Sequence, residues 1–276
     1  MTAVAAEADS VAAGLAGFVP TGPPRVLPSG HTLTHLPWGG RYGIPAPGAW
    51  SASGAPDSAV PHAPGPSGGA PPAGAGAPYG AVVDLVAVGV GPAAAAVGTT
   101  SALATAPYAY DLVVSAGIGG GFLPHAPLGA VVVSDAIIAA DLGADTPDGY
   151  VAVEELGFGR SVHLPPPGLP DRIAKALHEG GRPHVVAPVL TVSTVTGTAA
   201  RTTELITRHP RAGAEAMEGF GVAEAATAHG VPVVEIRAVS NTVGPRDRAA
   251  WRIGHALDSL RHACTLLGTT VFLEDL

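Results

Sequence analysis

The chain has 276 residues, 47% of them hydrophobic and 13% charged, with a formal net charge of −8. That length suits one α/β domain with an insertion and a core large enough to be stable alone. Only 14 Lys and Arg stand against 22 Asp and Glu, which leaves no basic face for phosphates and excludes general nucleic-acid binding.

A single cysteine, Cys264, excludes an internal disulfide and a Cys-cluster metal site, and its place in an apolar helical pattern reads as a packed thiol. Apolar runs are broken by Gly, Pro, Asp or Ser before they reach membrane-spanning length. The first residues lack the basic and apolar regions of a secretion signal, so a cytoplasmic setting is expected.

From 21 to 80 the chain is rich in Pro, Gly and Ser, and residues 61–80 alone hold 12 Gly or Pro. Such a stretch offers few side chains to bury and reads as a largely unstructured insertion. Within it, "HTLTH" sets His31 and His35 four apart, a metal-binding spacing on a helix. Flanking Pro28, Gly30, Pro37 and Gly39 speak against a helix, so no metal is expected there.

"VVDLVAVGVG" (82–91) predicts a strand buried on both faces, and "PAAAAVGTTSALATA" (92–106) a helix with Pro92 at its first turn. "YDLVVSAGIGGGF" (110–122) reads as a buried strand running into glycines. "GAVVVSDAIIAADL" (129–142) and "RPHVVAPVLTVSTVT" (182–196) follow. Segments 198–209 and 214–230 look helical, 231–241 is a strand, and the last helix carries Ile253, Ala256, Leu257, Leu260, Ala263, Cys264 and Leu267 on one stripe. Alternating strands and helices predict an α/β fold with a mainly parallel central sheet.

Ligands of such sheets sit at the carboxyl ends of strands. That singles out Gly117, Gly119, Gly120 and Gly121, residues 191–196, and Ser240 with Asn241. The glycines let a backbone approach a ligand or serve as turn chemistry; they lack the spacing of a phosphate loop. Glu218, among small and apolar neighbours, is either an exposed first-turn acid favoured by the helix dipole or a carboxylate gripping two sugar hydroxyls. Asn241 is either a turn residue or an amide that reads an edge presenting one donor and one acceptor.

"AEAMEGFGVAEAATAHGVPVVEIRAVSN" resembles the signature of the purine nucleosidase and nucleoside phosphorylase superfamily, and "SAGIGGGF" resembles its Gly-rich turn. The likeness runs from residue 2 to about 20, then from about 82 to the C-terminus. "TPDGYVAVEELGFG" and "SNTVGPRDRAAWRIG" are similar to a branch that acts on 6-oxopurine nucleosides. The resemblance implies a single three-layer α/β/α domain over 1–276 with a mixed, mainly parallel sheet, acting as an N-glycosyl hydrolase on a small nucleoside. No metal or organic cofactor is implied, and the family assembles as homo-oligomers.

By the same resemblance, Glu7 in "TAVAAEADS" activates water, and Met217 and Glu218 meet the ribose, with Glu218 on its 2′- and 3′-hydroxyls. Gly119 and Gly120 lie over the sugar, Asn241 faces N7 of the base, and Val195 and Thr196 fall in the base-sandwiching segment, where an aromatic common in relatives is missing. An amide can donate to O6 and accept from a protonated N7, which favours a hypoxanthine-type base over adenine. Each mismatch of buried donors or acceptors costs about 1–3 kcal/mol. Arg160, Arg246 and Arg248, which otherwise read as surface arginines, are candidates for a carboxylate on the substrate's 5′ side, and Phe158 for a ring there.

A phosphorylase would need a phosphate cradle, and residues 2–20 show none; the Glu7 carboxylate would repel a dianion. Relatives carry a full strand before the catalytic acid, whereas Glu7 follows only six residues. Without that strand Glu7 would be poorly anchored, which leaves open an inactive nucleoside-binding module.

Overall fold

The structure is a computed structural model and describes residues 1–38 and 81–273. Its first half contains helix α1 (Ala5–Gly14), strands β1 (Arg25–Val26), β2 (Thr32–Pro37) and β3 (Val82–Val86), helix α2 (Pro92–Ala104), and strands β4 (Val113–Gly121) and β5 (Val131–Ala139). A hairpin of β6 (Gly143–Thr146) and β7 (Gly149–Ala152) follows, then β8 (Val162–His163), α3 (Leu169–Glu179) and β9 (His184–Thr191). The chain continues through α4 (Ala199–Arg208), β10 (Ala214–Ala216), α5 (Gly219–Ala228), β11 (Val233–Thr242) and α6 (Ile253–Leu267).

The main sheet runs β11-β4-β10-β9-β5-β8, and β5 also pairs with β11, so five of its strands close on themselves. It is mixed as expected, and its two longest ladders, β4–β11 and β5–β9, are parallel. Ile236, Ala238, Val131 and Val133 are almost wholly buried, which is why these strands read as continuous apolar runs. Helices α1 and α6 pack together through Val11, Leu15, Leu260 and Cys264, which bears out the stripe on α6 from Ala256 onward, while Ile253 at its start is exposed. The ladder of β11 shifts register between Val239 and Asn241, so Arg237 lies beside Gly117 but Asn241 beside Gly120.

Several expectations need correction. The segment 214–230 is not one helix: Ala214–Ala216 pairs with β4 and β9, and α5 starts only at Gly219. Residues 117–121 belong to β4 rather than to a turn. In the 82–91 run only Val82–Val86 is a strand, and its first three residues are half-buried because β3 pairs with β2 in a small antiparallel sheet.

The proposed insertion is structured at its start: β1 and β2 lie within 21–80, with Leu27, Leu33 and Leu36 buried. Residues 39–80 lie outside the described residues. His31 and His35 sit on this extended segment, bound separately to Ser29 and Asp84.

The segment before α1 joins the two sheets. Thr2 exchanges backbone hydrogen bonds with Val86 and Val88, and the Met1 carbonyl accepts from Ala116 at 2.8 Å. Backbone bonds of Met1, Thr2 and Ala3 thus anchor the segment that leads into Glu7.

Candidate active site

Glu7 lies in the first turn of α1 with only 3% of its surface exposed. Its Oε2 accepts from the N–H of Ala3 at 2.8 Å and of Val4 at 3.3 Å, a helix-start arrangement in which an acid satisfies orphan donors. Oε1 accepts from the N–H of Ile118 at 2.8 Å, which ties the helix to β4. Oε2 is thus saturated, and Oε1 keeps one lone pair free for a further donor.

Glu218 occupies the position just before α5 without capping it through its side chain, and neither exposed nor mid-helix describes it: it is 5% exposed. The Gly91 N–H donates to its Oε1 at 3.3 Å, and Arg237 Nη2 lies 3.1 Å from its Oε2. Arg237 is 1% exposed and also donates from Nε to Glu235 (2.8 Å), from Nη2 to Ser115 Oγ (3.2 Å) and from Nη1 to the Ile118 carbonyl (3.3 Å). Burial works against its charge, but Glu235 first, then Glu218 and Glu7, outweigh it and hold the guanidinium firmly protonated.

Gly117 makes this meeting possible. A Cβ there would lie 2.5 Å from Arg237 Nη1 and 2.6 Å from Glu7 Oε1, so only glycine leaves room for both. Glu7 and Glu218 accordingly belong to one buried cluster, with Arg237 between them.

Asn241 and Glu215 both pair with Gly120, one from β11 and one from β10. Paired residues share a sheet face, and at Gly120 the place of a side chain is taken by Val243 Cγ2 and Asn241 Nδ2, which a Cβ would meet at 2.9 and 3.2 Å. Asn241 Oδ1 accepts from Ser240 Oγ at 2.9 Å and Nδ2 donates to the Thr242 carbonyl at 3.1 Å, leaving one N–H and one lone pair unused. The buried Glu215 accepts from the N–H of Thr196 (2.8 Å) and from its hydroxyl. Burial raises the pKa of Glu215 despite those two bonds.

The structure thus joins Glu7 and Glu218 through Arg237 at Gly117, and sets Asn241 and, through Glu215, Thr196 at Gly120, three residues further along β4, with Gly119 between them. Met217 is half-buried beside Glu218, and Val195, beside Thr196, is 41% exposed. The candidates for a substrate tail are placed differently. Arg160 is paired with Glu224, Arg246 and Arg248 lie over the Trp251 ring at 5.5 and 5.7 Å, and Phe158 is 81% exposed, which rules out core packing.

Arg237, Glu235 and Glu215 had no assigned role. For Glu235 and Arg237 the signal was available: "VVEIRAV" sets two charges two apart in an otherwise apolar strand, where a charge must be paired. A cavity of about 440 Å³ beside Arg25, His35, Asp84 and Tyr108 shares no residue with this cluster. Buried acids mark the chemistry here more firmly than cavity size does. Among the described residues no group of three or more His, Cys, Asp or Glu is placed to hold a metal ion, and no helix is long and apolar enough to cross a membrane.

A family model described as the phosphorylase superfamily matches residues 77–271. A futalosine hydrolase of Streptomyces coelicolor is 64% identical over 185 residues, covering 65% of this chain and 76% of that protein. The chain belongs to the phosphorylase superfamily, in its futalosine hydrolase family. A second futalosine hydrolase, from Acidothermus cellulolyticus, is 44% identical over 188 residues, covering 68% and 76% respectively. The solved futalosine hydrolase of Helicobacter pylori matches this phosphorylase-superfamily chain with a TM-score of 0.68 at 13% identity, over 100% of this chain and 96% of that one. At that identity the likeness speaks for the fold alone.

Proposed function

We propose that this chain hydrolyses the N-glycosidic bond of futalosine, releasing hypoxanthine and dehypoxanthine futalosine, as a step of the futalosine route to menaquinone. The observation that carries the chemistry is Arg237 bound to Glu218 and adjoining Glu7, four residues before Asn241 on one strand. The 64% identity to a named futalosine hydrolase supports the substrate.

Cleavage leaves positive charge on the ribose and negative charge on the departing base. Glu218, fixed by Arg237 and Gly91, binds the ribose hydroxyls beside Met217 and favours the cationic ring. Glu7 holds a water through the free lone pair of Oε1 and takes its proton, the division of labour expected when two carboxylates flank a glycosidic bond. Asn241 donates to O6, a hydrogen bond that strengthens as the base takes up negative charge, and accepts from N7, whose proton is taken up from solvent water as the bond breaks. Gly119 and Gly120 lie beside the sugar and base on β4, and Val195 and Thr196 border the base, Thr196 being tied to Glu215 next to Gly120.

The same reading takes the whole chain as one nucleosidase domain with an insertion in 21–80, working in the cytoplasm as a homo-oligomer. Leu156, Phe158, Val162 and Leu164, all exposed within nine residues, support an oligomer contact.

The test is incubation with futalosine and with its 6-amino analogue, products being separated by chromatography. Hypoxanthine release is expected, with a preference for the keto substrate of roughly ten- to hundredfold from one or two mismatched buried groups. Asn241→Asp should erode that preference. No hypoxanthine at high enzyme concentration would overturn the proposal.

A further inference from the structure

Glu235 is fully buried on β11, two residues before Arg237. Its N–H donates to Ser134 Oγ at 2.8 Å and its Oε1 accepts from Arg237 Nε at 2.8 Å, but Oε2 has no partner. The carboxyl lies against Gly219, the residue after Glu218, where any Cβ would collide with it. Arg237 therefore faces three carboxylates: Glu235 on its own strand, Glu218 before α5, and Glu7 on α1. The other polar groups around it, Ser115 Oγ and the Ile118 carbonyl, carry no charge, and the buried Met1 amino group, which also feels Arg237 and Glu7, is pushed down by burial to about 5 and is neutral at pH 7.

A guanidinium touching Glu218 poses a problem for the reaction. Positive charge develops on the ribose that Glu218 holds, and a cation behind that carboxylate cancels part of its pull. We infer that Glu235 is a positioning residue that neutralises Arg237 through its Nε edge, leaving the charge of Glu218 and Glu7 to act on the ribosyl cation. This rests on the nucleosidase reading above.

With Glu235 ionised, three carboxylates and one guanidinium leave the cluster doubly negative; without it, one negative charge is lost. Burial raises the pKa of Glu235 and Arg237 opposes that rise. Acidification accordingly removes the Glu235 charge, as Glu235→Gln does, and also charges the Met1 amino group, so the variant at neutral pH isolates the Glu235 contribution.

Glu235→Gln keeps the shape and the acceptor for Arg237 Nε while removing the charge. Removing a unit charge roughly 10 Å from the ring at an effective dielectric of about 20 is worth about tenfold in rate or affinity. In Glu235→Gln, kcat should fall about tenfold with KM within about threefold. Two uncleavable hypoxanthine nucleoside analogues separate charge from shape: one with a neutral ring, one with a protonated pyrrolidine in its place. By calorimetry the variant should lose about tenfold for the cation and stay within about threefold for the neutral analogue.

Unchanged kcat in Glu235→Gln, or equal losses for both analogues, would each overturn the inference. If the wild type binds the analogues with the expected ratio but releases no hypoxanthine from futalosine, the substrate reading fails and Glu235 stands. If it binds neither analogue, both fall.

Discussion

Gly117→Ala adds one carbon where Glu7 and Arg237 converge. That Cβ would stand 2.5 Å from Arg237 Nη1 and 2.6 Å from Glu7 Oε1, and moving them out to 3.0 Å takes about half an ångström. Neither has slack: Glu7 is held by the Ala3, Val4 and Ile118 N–H groups, and Arg237 by Glu235 and Glu218. Weakening one charge-assisted hydrogen bond costs about 1.5–3 kcal/mol, and overpacking a filled site typically about 1–3 kcal/mol. A misplacement of order 1 Å can cost about a hundredfold in rate, so kcat for hypoxanthine release should fall roughly ten- to hundredfold. Thermal unfolding followed by circular dichroism should show Tm several degrees lower, at about 2–4 °C per kcal/mol for a chain of this size. A lowered Tm with kcat within about threefold of the wild type would refute the reasoning, because it would show a disturbed cluster that the reaction does not use.

The pKa of Glu215 is raised by burial above the ordinary 4.5, so its contribution to stability is fully present below about that value and is lost as pH rises through the raised one. The Tm of the non-titrating Glu215→Gln should therefore gain on the wild type as pH rises from 4 to 8, and a pH-independent difference would contradict it. Burial pushes the Cys264 thiol up to about 12, so an aromatic disulfide reagent should leave the native protein unlabelled and label its single thiol once the chain is denatured. Rapid labelling of the native state would refute that assignment.

The sequence made local features legible. Pro92 and the alanines behind it marked α2, the apolar stripe marked α6, and the apolar run of 231–241 marked β11. Glu7, Glu218 and Asn241 were each singled out before any geometry was known, and the first two prove to share Arg237. What stayed hidden depends on partners distant in the chain. Ala214–Ala216 reads as helix because Ala and Glu favour helices, yet two flanking strands capture those three residues. Glycines at 117–121 argue against a strand on propensity. They are tolerated because a Glu7 carboxylate, the Arg237 guanidinium and the Glu215 backbone approach where side chains would stand. Closure of the sheet through β5 and β11 has no local signal at all.

The register shift at Ser240 has a consequence for how selectivity can evolve. In a strand of strict two-residue period, residue 241 would emerge on the same surface as Arg237; the single unmatched residue turns it over to the surface of Gly120. Deleting one position there would invert the amide's direction without altering any atom of it. On the proposed role of Asn241, base choice is thus written in backbone parity as much as in side-chain identity.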